Sequence, residues 1–149
     1  MTETLELNID KFIFRIETDR FYSKEGLWVK RDGPIIRLGI SDYLQQRSGD
    51  IAFLEAKPAG VSVKLGDEIA VIETIKVNIS LPSPVNGKVI EVNPLMETEP
   101  EVINQDPYGS GWLVMLESED WESDSKTLMD AYTYFNWIKD EAEEEIGRK

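Results

Sequence analysis

The chain has 149 residues, a formal net charge of −13 and neither cysteine nor histidine. It therefore forms no disulfide, and serine–histidine, cysteine–histidine and thiolate–metal chemistry are excluded within it. Its negative charge disfavours nucleic acids and anionic membranes, whose phosphates would repel it. The length suits one domain, and no apolar run reaches the roughly 20 residues of a membrane span. The acidic N-terminus does not read as a secretory signal, so we expect a cytoplasmic protein.

The first half of the chain predicts an extension, two strands and a helix. Residues 1–20 are expected to be an N-terminal extension packed on the main domain; their apolar cluster fits an edge strand or a short amphipathic helix. Strands are predicted at 27–30 and 35–40, around a turn at 31–34. A helix follows, capped by Ser41 or Asp42, and then a strand at 50–55.

Lys76 lies between two runs of β-type residues, at 69–72 and 77–81. A Pro-Val-Asn-Gly turn begins at Pro84. This pattern predicts a hairpin that presents one amine to solvent, as a carrier module does for a cofactor arm. The lysine by itself fits an ordinary surface residue much better than an attachment site, since most lysines are exposed.

The second half predicts further short strands and a C-terminal helix. Strands at 88–92 and 111–116, with turn signals throughout the chain, indicate a barrel or a sandwich. A helix is predicted at 127–145, and one apolar stripe on it should pack on the barrel. The stripe contains Leu128, Tyr132, Phe135 and Ile138, and the residues expected to be buried in the barrel are Trp28, Phe53, Leu54, Val71 and Trp112.

Residues 117–149 contain eleven acidic and four basic residues. This acid is a solvated surface, or it steers the protein toward basic enzyme partners.

A series of motifs between residues 21 and 116 resembles the lipoyl-bearing H protein of the glycine cleavage system. The clearest are Tyr22-Ser23-Lys24-Glu25, Leu38-Gly39-Ile40-Ser41-Asp42-Tyr43, Glu73-Thr74-Ile75-Lys76, Ser83-Pro84-Val85-Asn86-Gly87 and Asn104-Gln105-Asp106-Pro107-Tyr108-Gly109-Ser110-Gly111-Trp112.

The resemblance implies a mainly β, lipoyl/biotinyl-type flattened β-barrel sandwich with short helices and a C-terminal helix. The lipoyl domain would span 21–116, followed by an acidic helical segment at 117–149. Lys76 would carry lipoate, and Glu73 would be read by the ligase. The protein would be a monomeric carrier and not itself an enzyme.

Two departures from the family pattern bear on the pathway. Lys24-Glu25-Gly26-Leu27-Trp28 replaces a usual Lys-Glu-His-Glu-Trp. Ser80 stands where the family usually has aspartate, close to the amino group of an aminomethyl-loaded arm. A carboxylate there would favour the protonated amine, and serine supplies no charge. This favours transfer of a sulfur intermediate in a heterodisulfide-reductase-like sulfur-oxidation pathway. Aminomethyl transfer in glycine cleavage is the alternative, and an unmodified structural or regulatory module is a third hypothesis.

The partners follow from these hypotheses. A lysine amine is almost entirely protonated at neutral pH, so its acylation needs a lipoate ligase or lipoyltransferase. The loaded arm would visit a heterodisulfide-reductase-like complex or the glycine cleavage enzymes, and dihydrolipoyl dehydrogenase would reoxidise it.

Biotin carriers present a lysine on a similar hairpin, but they usually flank that lysine with methionine. Here the neighbours of Lys76 are Ile75 and Val77, which does not fit the biotin pattern.

Overall fold

The computed structural model describes residues 3–147, with the backbone alone at 146 and 147. The strands are β1 Thr4–Ile9, β2 Phe12–Glu17, β3 Phe21–Tyr22, β4 Leu27–Asp32, β5 Ile35–Ile40, β6 Ile51–Ala56, β7 Ser62–Val63, β8 Glu68–Thr74, β9 Asn78–Pro82, β10 Gly87–Val92 and β11 Val114–Ser118. The α-helices are α1 Asp42–Ser48, α2 Val102–Gln105, α3 Trp121–Asp124 and α4 Ala131–Gly147, with 3₁₀ helices at Pro94–Glu97 and Ser125–Thr127.

Two antiparallel sheets enclose the main core. One has the order β3-β4-β5-β11-β10-β7, and the other has the order β6-β8-β9. Aliphatic side chains from both sheets form the core, among them Leu38, Ile72, Leu81 and Leu116. The mainly β sandwich with a C-terminal helix is confirmed. Among residues 3–147, no helix is long and apolar enough to cross a membrane.

The extension forms a hairpin, β1–β2, which is a separate two-stranded sheet. Leu7, Ile9, Phe14 and Ile16 turn toward a second apolar cluster, which also contains residues of α4 and α1. The backbone amide of Arg15 donates to the Asp42 carboxylate at 2.8 Å, and its carbonyl accepts from the Tyr108 hydroxyl at 2.6 Å. Polar and apolar contacts therefore both fix the hairpin to the domain.

Helix α4 begins four residues later than predicted, and its buried face differs. Leu128 precedes the helix, and the Asp130 carboxylate accepts from the Thr133 amide at 2.8 Å, as a capping residue does. The buried positions are Ala131, Tyr134, Ile138 and Ala142. Of the predicted stripe, Ile138 is buried, and Leu128 and Phe135 are half-buried and pack against the apolar clusters. Tyr132 is exposed, because Leu128, from which the stripe is counted, is not helical.

Phe53 was expected in the core, but 60% of its surface is exposed. A bulge between Ile51 and Phe53 shifts the pairing of β6 with β8. An extra residue in one strand reverses the side-chain alternation beyond it. Ile51 and Leu54 therefore both face the core, and Phe53 faces solvent.

The other core expectations have mixed outcomes. Trp28 and Leu54 are buried, whereas Val71 and Trp112 are half-buried. The Trp28 indole donates to the Pro107 carbonyl at 2.9 Å. It lies on Gly39, where an added Cβ would come within 2.4 Å of the ring.

Candidate functional site

Lys76 lies at the tip of the β8–β9 hairpin, in a three-residue connection with Ile75 and Val77. The Thr74 amide donates to the Val77 carbonyl at 2.9 Å and closes the turn. The common two- and three-residue hairpin turns have positive φ at one or more positions. Among the described residues, Asp10 is the only non-glycine with positive φ, so this turn is of another kind.

The Thr74 side chain holds the turn together. Its hydroxyl oxygen accepts from the amides of Lys76 and Val77, at 3.3 and 3.1 Å, and donates to the Val77 carbonyl at 3.1 Å. A hydroxyl has one donor and two acceptor sites, so all three are used. Sequence reasoning did not single out Thr74. The available signal was a threonine two residues before Lys76. A threonine hydroxyl at the start of a turn can hydrogen-bond to the backbone of the residues that follow it.

The amine-bearing tip projects away from the barrel. Lys76 is exposed, as are its neighbours Ile75 (89%) and Val77 (51%). None of the four ion pairs found among residues 3–147 involves Lys76. The amine is therefore open to an enzyme that could acylate it.

Glu73 is on the same hairpin but does not contact Lys76. It is half-buried in β8, where it pairs with Phe53 on one side and Asn78 on the other. Its carboxylate forms no ion pair within 4 Å in the described part of the chain. It is thus available to a partner on the outer face of the sheet.

Ser80 is four residues from Lys76, about 13 Å along an extended strand. Its hydroxyl donates to the Glu68 carboxylate at 2.5 Å, and both residues are exposed. Serine at position 80 carries no charge itself, but its hydroxyl is in contact with the negatively charged Glu68 carboxylate of the neighbouring strand.

The turn after β9 anchors the hairpin to the barrel. The Asn86 backbone amide and side-chain amide donate to the buried Asp124 carboxylate, at 2.7 and 2.8 Å. The Asn86 side-chain oxygen accepts from the Leu65 amide at 3.0 Å. A Cβ at Gly87 would come within 2.6 Å of the Glu117 carbonyl. These contacts position the strands that lead to the tip.

The other departure from the family pattern lies in the core. Leu27 is fully buried, and Gly26 has a φ of +94°. A side chain at Gly26 would be strained and would also approach Leu44 within 3.1 Å. Among residues 3–147, no group of three or more acidic side chains is arranged to hold a metal ion.

Comparison with known proteins agrees with this geometry. Residues 20–141 match the family model described as glycine cleavage H-protein. The glycine cleavage system H protein of Thermus thermophilus is 39% identical over 127 residues, which are 85% of this chain and 98% of the relative. Glycine cleavage system H protein 4 of Aquifex aeolicus is 37% identical over 132 residues, 89% of this chain and 77% of the relative.

A solved structure has the same fold. The crystal structure of a glycine cleavage system H protein from Mycobacterium marinum superposes with a TM-score of 0.72 and 26% identity, over 82% of this chain and 98% of that one. Proteins of this family carry lipoate covalently on a lysine and are carriers, not catalysts. Since the family model covers the main domain and these relatives align over nearly all of it, the chain belongs to the glycine cleavage H-protein family.

Proposed function

We propose that this chain is the lipoylated aminomethyl carrier of a glycine cleavage system, with Lys76 as the attachment site. The observation that carries the proposal is the exposed lysine at a three-residue tip held by Thr74, in a chain of this family. Lipoate supplies the dithiol chemistry that a chain without cysteine lacks. The chain presents the amine and keeps the arm clear of the barrel.

The partners of this function are a lipoate ligase or lipoyltransferase, the glycine cleavage enzymes and dihydrolipoyl dehydrogenase. Tethering the intermediate to one arm raises its effective concentration at each enzyme. We assign Glu73 to recognition by the attaching enzyme, because its carboxylate lies three residues from Lys76 and has no ion-pair partner in the described chain.

The structure removes the reason for favouring a sulfur intermediate as the cargo of the arm. That argument depended on a neutral position 80, but the Glu68 carboxylate accepts a hydrogen bond from Ser80. The relatives compared above are named as glycine cleavage proteins, and none is named for sulfur oxidation. A heterodisulfide-reductase-like partner therefore has no support from these observations.

Intact mass after incubation with lipoate, ATP and a lipoate ligase tests the attachment site. The protein should gain one lipoyl group, and Lys76→Arg should gain none. Lys64→Arg and Lys88→Arg are matched controls that should be acylated normally. A protein that never gains mass would support the unmodified module instead.

The pathway is tested on the lipoylated protein. Glycine-dependent carbon dioxide exchange with a glycine decarboxylase should proceed within about tenfold of a known H protein used as reference, a difference of about 1.4 kcal/mol in activation free energy. Full lipoylation with exchange at background level would contradict the aminomethyl function and reopen sulfur carriage.

A further inference from the structure

The outer face of the β6-β8-β9 sheet carries an exposed aromatic residue close to the tip. Phe53 shares this face with Glu73 and Asn78, in the row of paired residues next to the turn. Glu73 is three residues from Lys76, about 10 Å along the strand. The bulge in β6 turns Phe53 outward, although the same strand packs Ile51 and Leu54 in the core.

Apolar side chains lie in both rows of this face. Phe53 is exposed in the first row, and Val71 is half-buried in the second. Ile75 and Val77 are exposed at the tip, but Val77 is bonded to Thr74 and alternates with Asn78, so it does not share the face of Phe53. Exposed apolar side chains with a polar border occur at interaction sites in soluble proteins. Aromatic residues are the side chains most often found as energetic anchors in such sites.

The border of this apolar surface is acidic. Glu55 and Ser80 flank Val71 in the second row, and Glu68 bonds to Ser80. Glu55, Glu68 and Glu73 take part in none of the ion pairs within residues 3–147. Lys57 follows β6 at the end of the face away from the tip. A complementary partner would therefore present lysine or arginine around an apolar socket.

We propose that Phe53 is the docking anchor for the enzyme that acylates Lys76, with Glu55 and Glu73 as its charged border. This enzyme must work on the lysine amine before any arm exists, so it must approach within one lysine side chain of the hairpin. Enzymes that use the loaded arm meet its far end and need not cover Phe53. The inference rests on the proposed function, because it requires acylation of Lys76.

Initial rates of lipoylation, measured over a range of carrier concentrations with lipoate, ATP and a lipoate ligase, test the anchor. Phe53→Ala should raise the KM for the carrier about tenfold and leave kcat within about twofold. Phe53→Trp should restore most of the affinity. Phe12→Ala, at an exposed phenylalanine on the β1–β2 hairpin, is the matched control and should not change KM. Thermal unfolding of each variant checks the fold.

The charged border is tested by ionic strength. Glu55→Gln should raise KM a few-fold at low salt, and the difference should vanish at high salt, because exposed charges are screened. Glu91→Gln is the matched control on an exposed carboxylate of β10.

Three outcomes would overturn the inference. Equal KM values for Phe53→Ala and Phe12→Ala would show that Phe53 is no anchor. Normal lipoylation of Phe53→Ala, with slower glycine-dependent exchange once loaded, would assign the face to an arm-using enzyme. A wild-type chain that is not acylated would remove the proposed function and this inference together. The first of the three outcomes, found with normal acylation of the wild type, would remove this inference alone.

Discussion

Arg20 is buried between the rings of Trp28 and Tyr108, with its guanidinium carbon 4.6 and 5.2 Å from their centres. It donates to the Tyr108 carbonyl and to the Asp19 carboxylate, at 2.9 and 2.8 Å. A buried cation of this kind is stable only with such partners.

The Asp19 carboxylate makes part of the stability dependent on pH. Burial acts to raise its pKa, but hydrogen bonds and charges from Arg20 and Lys30 outweigh burial and lower the pKa from 3.8 to about 2. Because the folded pKa lies below the unfolded one, the stabilisation is complete above about pH 4. It is lost as the pH falls through about 2.

Asp19→Asn should therefore lower the free energy of unfolding by about 1 to 2 kcal/mol at pH 7, since a hydrogen bond to a charged group is weakened. The difference from wild type should shrink steadily between pH 4 and pH 2, where wild-type Asp19 becomes protonated. Urea unfolding at several pH values measures it. Asp50→Asn, at an exposed carboxyl, is the control. A difference that stays constant down to pH 2 would contradict the prediction.

At the scale of elements, the hairpin tip depends on one side chain. Thr74 supplies the hydrogen bonds that a turn with positive φ would obtain from the backbone. The tip is therefore ordered without glycine or asparagine, and β-branched residues flank the lysine.

Thr74→Val keeps the shape of the side chain and removes all three hydrogen bonds. We expect a loss of about 1 kcal/mol in stability, faster amide exchange at Lys76 and Val77, and a drop of roughly fivefold in kcat/KM for lipoylation. Thr74→Ser should behave like wild type, because the hydroxyl remains. Lipoylation of Thr74→Val at the wild-type rate would mean that the turn does not depend on the hydroxyl.

The sequence predicted the elements whose signals are local. It did not predict the side-chain orientations that depend on pairing between distant strands. The hairpin around Lys76 and the cap at Ser41 come from residue types at short spacing; the Ser41 hydroxyl accepts from the Leu44 amide at 3.2 Å. The orientation of Phe53 depends on a bulge against β8, which no local pattern reports. The phase of α4 follows from the cap at Asp130, a signal that the apolar stripe concealed.

The extension could have been predicted as a hairpin. Its strands alternate apolar and polar residues, with Leu5, Leu7 and Ile9 before the Asp10-Lys11 turn and Phe14 and Ile16 after it. Such alternation is typical of half-buried strands, and Asp tolerates the φ of +56° found at Asp10. The apolar Ile13, which is exposed between Phe12 and Phe14, interrupts this alternation and obscures it.

At the scale of the whole molecule, the protein has two apolar clusters. The larger lies between the two sheets, and the smaller joins the extension to α4, α1 and Trp28. The extension, β1–β2, lies outside the region that matches the family model. Since it buries four large side chains, we expect it to unfold together with the domain.

Ile16 and Ile13 test this expectation as a matched pair on one strand. Ile16 is fully buried, whereas Ile13 is 44% exposed. Ile16→Ala should cost about 2 to 5 kcal/mol, and Ile13→Ala should cost less than about 1 kcal/mol. Thermal unfolding followed by both circular dichroism and tryptophan fluorescence should show one coincident transition. Separate transitions would mean that the extension folds independently, and equal costs for the two variants would contradict the role of the buried Ile16 side chain.

The short tip of the β8–β9 hairpin also determines how the protein meets proteases. A protease needs several residues in an extended conformation, and exposed loop tips are normally where it finds them. Here the connection is only three residues long, and both flanking strands are paired in the sheet. We therefore expect the Lys76–Val77 bond, although it lies on the surface, to be cut only after the hairpin opens. The folded hairpin would then protect Lys76 from trypsin-like proteases while its amine stays open to modification.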